Sequence, residues 1–180
     1  MIKKYFQKIN KFIKRHNPFR LKPYLGEDYE DHWNFTDFKN KVILDLGADY
    51  GSTADWFLSK GATKVVAVES LNFPELAAWA DGVKVIPVNL LIQTPADYER
   101  LITEYHPDVA KIDIEGWERP MLEADPLLIG SVKEYMIETH SKELFNLLTS
   151  FLTKLGYQVT HSRELGPETD VIFASRNTTR

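Results

Sequence analysis

From Val42 onward the chain alternates short, continuous apolar runs with stretches whose apolar residues recur at helical spacing. Val42–Leu46 and Lys64–Val68 are the first two runs. Between them, after Gly47 and Gly51, the pattern predicts a helix with Ser52 as N-cap and Asp55 near its exposed first-turn amides. Phe73–Ala80, Pro95–Tyr105, Glu118–Glu123 and Lys142–Leu155 read as further helices, the last ending at Gly156. Val83–Val88, Val109–Ile114, Ser131–Thr139, Tyr157–His161 and Asp170–Ser175 read as strands. Apolar runs this continuous suit strands buried on both faces, and their alternation with helices predicts βαβ units.

Five strand–helix alternations are followed by a strand–loop–strand ending, with Gly166-Pro167 in the loop. This predicts a three-layer, doubly wound α/β domain with a seven-stranded sheet. The pattern resembles the class I methyltransferase sheet, and the resemblance implies the order 3-2-1-4-5-7-6 with strand seven antiparallel. Pro87 in the third strand removes a ladder hydrogen bond, so it belongs at a sheet edge, where this order puts it.

The 180 residues suffice for one such domain over 41–176, preceded by an approach segment (1–40) and followed by a tail (177–180). No run reaches the roughly 18 apolar residues of a membrane span. The cytoplasm is the expected compartment. The absence of cysteine excludes a thiol nucleophile and zinc–thiolate sites.

Net charge is −4, but it is unevenly spread. Residues 1–26 hold eight of the 22 basic side chains and no acid, leaving 14 basic against 26 acidic elsewhere. Within that segment Ile2, Tyr5, Phe6, Ile9, Phe12 and Ile13 follow helical spacing, so Met1–Arg15 predicts a basic amphipathic helix ended by Asn17-Pro18. Three roles fit residues 1–16: a lid packed on the domain, peripheral contact with an anionic membrane, or contact with a nucleic-acid backbone or another acidic partner. Residues 17–40 read as an irregular approach to the first strand.

The turn Gly47-Ala48-Asp49-Tyr50-Gly51 lacks the G-x-G-x-x-G of a pyrophosphate site, and no G-K-[ST] follows for a P-loop. Asp45 before the first glycine, Gly51 four residues after it and Glu69 closing strand two suit a ligand with ammonium and ribose groups but no phosphate. S-adenosylmethionine is that ligand. Asp45 or Asp49 would face its ammonium, Gly47 and Gly51 would admit the ligand to the backbone, Glu69 would accept from the ribose hydroxyls, and Asn89 is a candidate adenine contact.

A second cluster lies on strands four and five. Lys111 and Asp113 share one face of a strand that should be apolar, and Tyr135–His140 ends in an acid and an imidazole. Asp113, Glu115, Glu138 and His140 thereby converge where a transferred methyl would project. Glu118 reads as a helix start.

Together these segments resemble the FkbM-type methyltransferases that use S-adenosylmethionine. The resemblance rests on Asp45-Leu46-Gly47-Ala48-Asp49-Tyr50-Gly51, on Glu69, on Lys111-Ile112-Asp113-Ile114-Glu115-Gly116-Trp117-Glu118 and on Glu138-Thr139-His140. It spans about Val42 to Arg176 and departs from the family at Asp49, where asparagine is usual, and at Ser70, where proline is common. It implies O-methylation of a sugar or small-molecule hydroxyl. Two mechanisms follow: His140 or Glu115 as general base, or Asp113 and Glu138, with or without His140, holding Mg²⁺ or another divalent cation. Two other functions compete. One is RNA 2′-O-methylation through a Lys-Asp-Lys-Glu set including Asp113, Lys142 and Glu168; the other is a non-catalytic protein that binds S-adenosylmethionine or a partner.

Overall fold

The computed structural model describes residues 29–71, 76, 80, 82–164 and 169–176. The expected basic helix over 1–16, the start of the approach segment, most of the Phe73–Ala80 helix, Gly166-Pro167, Glu168 and the tail lie outside the described residues. Thirteen elements follow in chain order: α1 (Tyr29–Trp33), β1 (Val42–Leu46), α2 (Ser52–Ser59), β2 (Lys64–Glu69), β3 (Val85–Asn89), α3 (Pro95–Tyr105), β4 (Val109–Ile112), a 3₁₀ turn (Arg119–Glu123), α4 (Pro126–Ile129), β5 (Glu134–Thr139), α5 (Lys142–Lys154), β6 (Gln158–Glu164) and β7 (Asp170–Ser175).

The strands form one sheet of order β3-β2-β1-β4-β5-β7-β6. β1 to β5 pair in parallel, and β7 runs antiparallel to both β5 and β6. Pro87 sits on the β3 edge, as its missing amide requires. No described helix is long and apolar enough to cross a membrane.

Period-two alternation sends successive strand residues to two separate cores. Leu44, Leu46, Ala110 and Ile112 face the layer of α3 and α5. Ile43, Val109, Trp33, Phe38 and Phe57 form the other core, beneath α1 and α2. Asp45 and Lys111 are register partners on β1 and β4. Their alternation puts both on this second face, so the two charges are buried side by side.

Several boundaries differ from those the sequence predicts. The irregular approach contains α1, whose Tyr29 and Trp33 are buried. β3 starts at Val85 rather than Val83, and β4 stops at Ile112, because Asp113 and Ile114 already turn into the loop that carries Glu115 and Gly116 at positive φ. β5 starts at Glu134 because Pro126–Ile129 is helical, with Asp125 accepting from the Leu127 amide at its start. β6 runs on to Glu164 past a register irregularity between Val159 and His161. The N-cap of α2 is Gly51 at φ 87°, not Ser52, which is the first helical residue and meets Tyr29 Oη at 2.8 Å.

Candidate active site

The site begins with the turn from β1 into α2. Gly47, Asp49 and Gly51 all have positive φ (79°, 47° and 87°), which folds the backbone back on itself within five residues. Gly47 is sterically obligatory: a Cβ there would stand 1.8 Å from the Asp113 carbonyl oxygen. What its missing side chain admits is the β4 loop, which brings Asp113 against the glycine turn.

Two adjoining crevices open at the carboxyl ends of β1, β2, β4 and β5, the usual place for a ligand in an open α/β sheet. The smaller, about 190 Å³, is walled by Leu90, Leu91, Ile92, Ile114 and Trp117 and suits a flat heterocycle. The larger, about 750 Å³, is lined by Tyr29, Asp49, Thr53, Lys111 and Glu138 among others. Gly47, Glu69, Ser70, Asp113 and Glu115 border both. Ligand sites typically occupy about 300–1,000 Å³.

Glu69 is braced at the junction. Its Oε2 accepts from the Asp49 amide at 3.1 Å, and its Oε1 accepts from the Leu71 amide at 2.9 Å and Ser70 Oγ at 3.0 Å. Asp49 lines the larger crevice, and burial pushes its carboxyl above the usual range, with the charge of Glu69 adding to the effect. Asn89 lines neither crevice. Its Nδ2 donates to the carbonyls of Glu69 and Ser70, both at 3.1 Å, so it ties the ends of β2 and β3 together.

Asp45 has no exposed surface and lines neither crevice. Its Oδ2 accepts from Thr53 Oγ1 at 2.6 Å and its Oδ1 faces Lys111 Nζ at 3.3 Å. Burial raises its carboxyl pKa, and Lys111 and Thr53 oppose that rise. Lys111 donates to the Gly47 carbonyl at 2.8 Å, lies 3.6 Å from Asp113 and has the Trp33 ring 5.4 Å away. The pair therefore pins the glycine turn from beneath, whereas Asp49 lines the larger crevice.

The convergence of Asp113, Glu115, Glu138 and His140 is present. His140 Nε2 lies 3.4 Å from Glu115 and 3.7 Å from both Asp113 and Glu138. Its Nδ1 lies 3.2 Å from Glu118 Oε1. That bond, against the opposing effect of burial, holds the imidazole pKa up at about 9. At neutral pH both ring nitrogens then carry protons, so in this state His140 donates. Asp113, Glu115 and His140 each offer a donor atom within 4.8 Å of the others, a set able to share a cation once the imidazole is deprotonated. The trio contains Glu115 where the sequence points to Glu138; Glu138 Oε2 is instead 2.7 Å from His32 Nε2.

Three contributors, Glu118, His32 and Tyr29, are not apparent from the sequence. Glu118 does not simply start a helix: it is fully buried, and its Oε1 accepts from the Ile114 and Gly116 amides as well as meeting His140. Its spacing three residues after Glu115 was a usable signal. His32 and Tyr29 arrive on α1, and a five-residue aromatic segment carries no local signal of its place over the site.

The lining chemistry selects the ligand. Among the described residues, five carboxylates, Asp49, Glu69, Asp113, Glu115 and Glu138, border the larger crevice against one ammonium, Lys111, which is itself buried. Such a wall repels a pyrophosphate and attracts a cation. A ligand with a ribose, an ammonium and a sulfonium fits that charge, and an adenine fits the apolar slot beside Glu69.

The methyltransferase FkbM domain model matches residues 80–159, which include the β4 loop and the end of β5 but not the glycine turn. No curated protein matches the sequence. Among solved structures, the fold is similar to a Methanococcus jannaschii fibrillarin pre-rRNA processing protein (20% identity, 78% of this chain and 69% of that one, TM-score 0.57). It is also similar to an S-adenosylmethionine dependent methyltransferase from Mesorhizobium loti (12% identity, 79% and 94%, TM-score 0.59). A third is the Burkholderia thailandensis 1,6-didemethyltoxoflavin-N1-methyltransferase with bound S-adenosylhomocysteine (19% identity, 82% and 74%, TM-score 0.53). These likenesses establish the fold. The family match, over 80 of the 180 residues, falls on the very segments that build the acid cluster, and the fold around it is that of S-adenosylmethionine-dependent methyltransferases.

Proposed function

We propose that the enzyme methylates a hydroxyl of an uncharged sugar or small molecule. The observation that carries this is the charge of the crevice: among the described residues, five carboxylates and one buried ammonium line the space an acceptor must enter. A phosphodiester backbone would meet repulsion there, whereas a polyol finds acceptors for its hydroxyl protons. The RNA alternative loses support at Lys142, which is spent on Asp170 at 3.2 Å and lines neither crevice.

Bound S-adenosylmethionine supplies an electrophilic methyl on a sulfonium. Glu69 would orient its ribose, Asp49 would hold its ammonium, and the Leu91–Trp117 slot would take its adenine. Transfer needs an acceptor oxygen in line with that methyl and a group to take the hydroxyl proton. We assign the proton to Glu115, an 86% exposed carboxylate that borders both crevices and is held at φ 56°, a conformation rare outside glycine. His140, hydrogen-bonded to Glu118, fixes the carboxylates around it.

The close approach of Asp113, Glu115 and His140 supports a second reading, in which they hold a divalent cation. Such an ion would lower the hydroxyl pKa. Transfer of labelled methyl from S-adenosylmethionine into cell extract, separated into glycan, lipid and RNA fractions, tests the acceptor class; label confined to RNA overturns the proposal. Turnover that survives EDTA, with no thermal shift on adding Mg²⁺ or Mn²⁺, eliminates the cation.

A further inference from the structure

Glu138 borders the larger crevice, and its two oxygens stand in different surroundings. Oε2 lies 2.7 Å from His32 Nε2, and because a carboxylate only accepts, the imidazole donates. Oε1 lies 3.7 Å from His140 Nε2, too far for a hydrogen bond. Oε1 therefore keeps its capacity to accept from a ligand.

His32 is itself held in place. Its ring centroid lies 4.6 Å from that of Trp33, which is completely buried and has Lys111 Nζ 5.4 Å from its ring. Three residues before His32, and so on the same side of α1, Tyr29 borders the crevice and meets Ser52 Oγ at 2.8 Å. α1 is thus fastened at both ends, and the imidazole is fixed before any ligand arrives. The side chains of His32 and Glu138 are only 11% and 14% exposed, so this bond is not a loose surface pair. A carboxylate whose partner is locked by its own packing is the arrangement a preorganised binding group needs.

We infer that His32 is a positioning residue for the transfer reaction: it aims Glu138 so that this carboxylate receives a hydroxyl of the acceptor beside α1. His32 borders neither crevice, so it acts through Glu138. The inference rests on the hydroxylated acceptor proposed above. Glu115 takes the proton of the reacting hydroxyl, and Glu138 accepts a hydrogen bond from a second one without removing its proton. An acceptor with at least two hydroxyls is thereby favoured over a simple alcohol.

Two substitutions separate aiming from packing. His32→Gln keeps a donor near the Nε2 position and loses the ring, whereas His32→Phe keeps a ring against Trp33 and loses the donor. Labelled-methyl transfer is measured on serial dilutions of whichever extract fraction takes the label, beside calorimetry with S-adenosylhomocysteine. For His32→Phe the amount of fraction giving half-maximal rate should rise about tenfold, while cofactor affinity stays within about twofold of wild type. His32→Gln should remain within about threefold of wild type in both measurements. The reverse order, or a His32→Phe protein equal to wild type, overturns the inference and leaves His32 a packing residue. A wild type that labels no fraction overturns it as well. Label confined to RNA refutes the proposed acceptor, and the order of the two variants on that fraction still decides the role of His32. A second measurement needs no acceptor. In a proton–nitrogen spectrum of histidine-labelled protein, the His32 Nε2 proton, assigned by its loss in His32→Gln, should also vanish in Glu138→Met. A signal unchanged by Glu138→Met overturns the inference whatever the acceptor.

Discussion

Replacing Lys111 by methionine isolates the device that holds the glycine turn. The side chain is 1% exposed, faces Asp45 Oδ1 at 3.3 Å and donates to the Gly47 carbonyl at 2.8 Å. Lys111→Met leaves a fully buried carboxylate held by the Thr53 Oγ1 hydrogen bond. Breaking a buried pair from one side costs about 3–5 kcal/mol, or about 6–20 °C in Tm for a domain of this size. The loss should depend on pH. Burial already raises the Asp45 pKa, and without Lys111 it rises further. A group whose folded pKa lies above its unfolded value of about 3.9 stabilises below that value and loses the contribution as pH rises through the folded pKa. The variant should therefore be closest to wild type near pH 5 and worst near pH 8. The double variant Asp45→Asn/Lys111→Met removes both charges and should recover most of the loss. Urea unfolding followed by circular dichroism at the two pH values measures all three proteins. A loss below about 1 kcal/mol that is the same at both pH values would refute the reasoning.

Gly47→Ala should destabilise by more than about 4 kcal/mol, since its Cβ would overlap the Asp113 carbonyl at a backbone φ of 79°; soluble expression and melting temperature check this. Glu118→Gln should bring the His140 pKa down from about 9 toward its ordinary value, read by NMR titration of the imidazole. In wild type the His140 contribution to stability is fully present below about pH 6.5 and is lost as pH rises through about 9; the Gln variant should lack that alkaline decline. Asp108→Asn should flatten the acid limb instead. Burial works against the Asp108 charge, but Lys133 at 2.6 Å and the Val42 amide at 2.9 Å outweigh it and hold the pKa low. Its contribution is present above the unfolded carboxyl pKa and vanishes as pH falls through the lowered folded value, so the asparagine variant should differ from wild type most at neutral pH.

The sheet was readable because each βαβ unit repeats the same contrast, continuous apolar runs against helical spacing, and because Pro87 is tolerable only at an edge. Elements whose stability is tertiary were not readable. α1 has five residues and becomes a helix because Tyr29 and Trp33 are buried in the second core. α4 is a single turn held by Asp125 and Pro126. The candidate site was legible as a list of acids, not as an assignment of roles. Asp45 reads as a candidate partner for an ammonium and Glu118 as a helix start, yet the register of β1 on β4 buries the first against Lys111, and the fold of the β4 loop buries the second beneath two amides and His140. Sequence spacing places a carboxylate on a face; whether that face meets water or a lysine is decided by the neighbouring strand.

The central claim is that S-adenosylmethionine occupies the crevice whose junction is Glu69. Titration calorimetry of the full chain with S-adenosylhomocysteine, wild type against Glu69→Ala, tests it most directly. The account predicts one site per chain for the wild type and an affinity about 10- to 100-fold weaker for the variant, the loss expected when hydrogen bonds to one carboxylate are removed. No binding heat and no rise in wild-type melting temperature, or equal affinity in the two proteins, would contradict it.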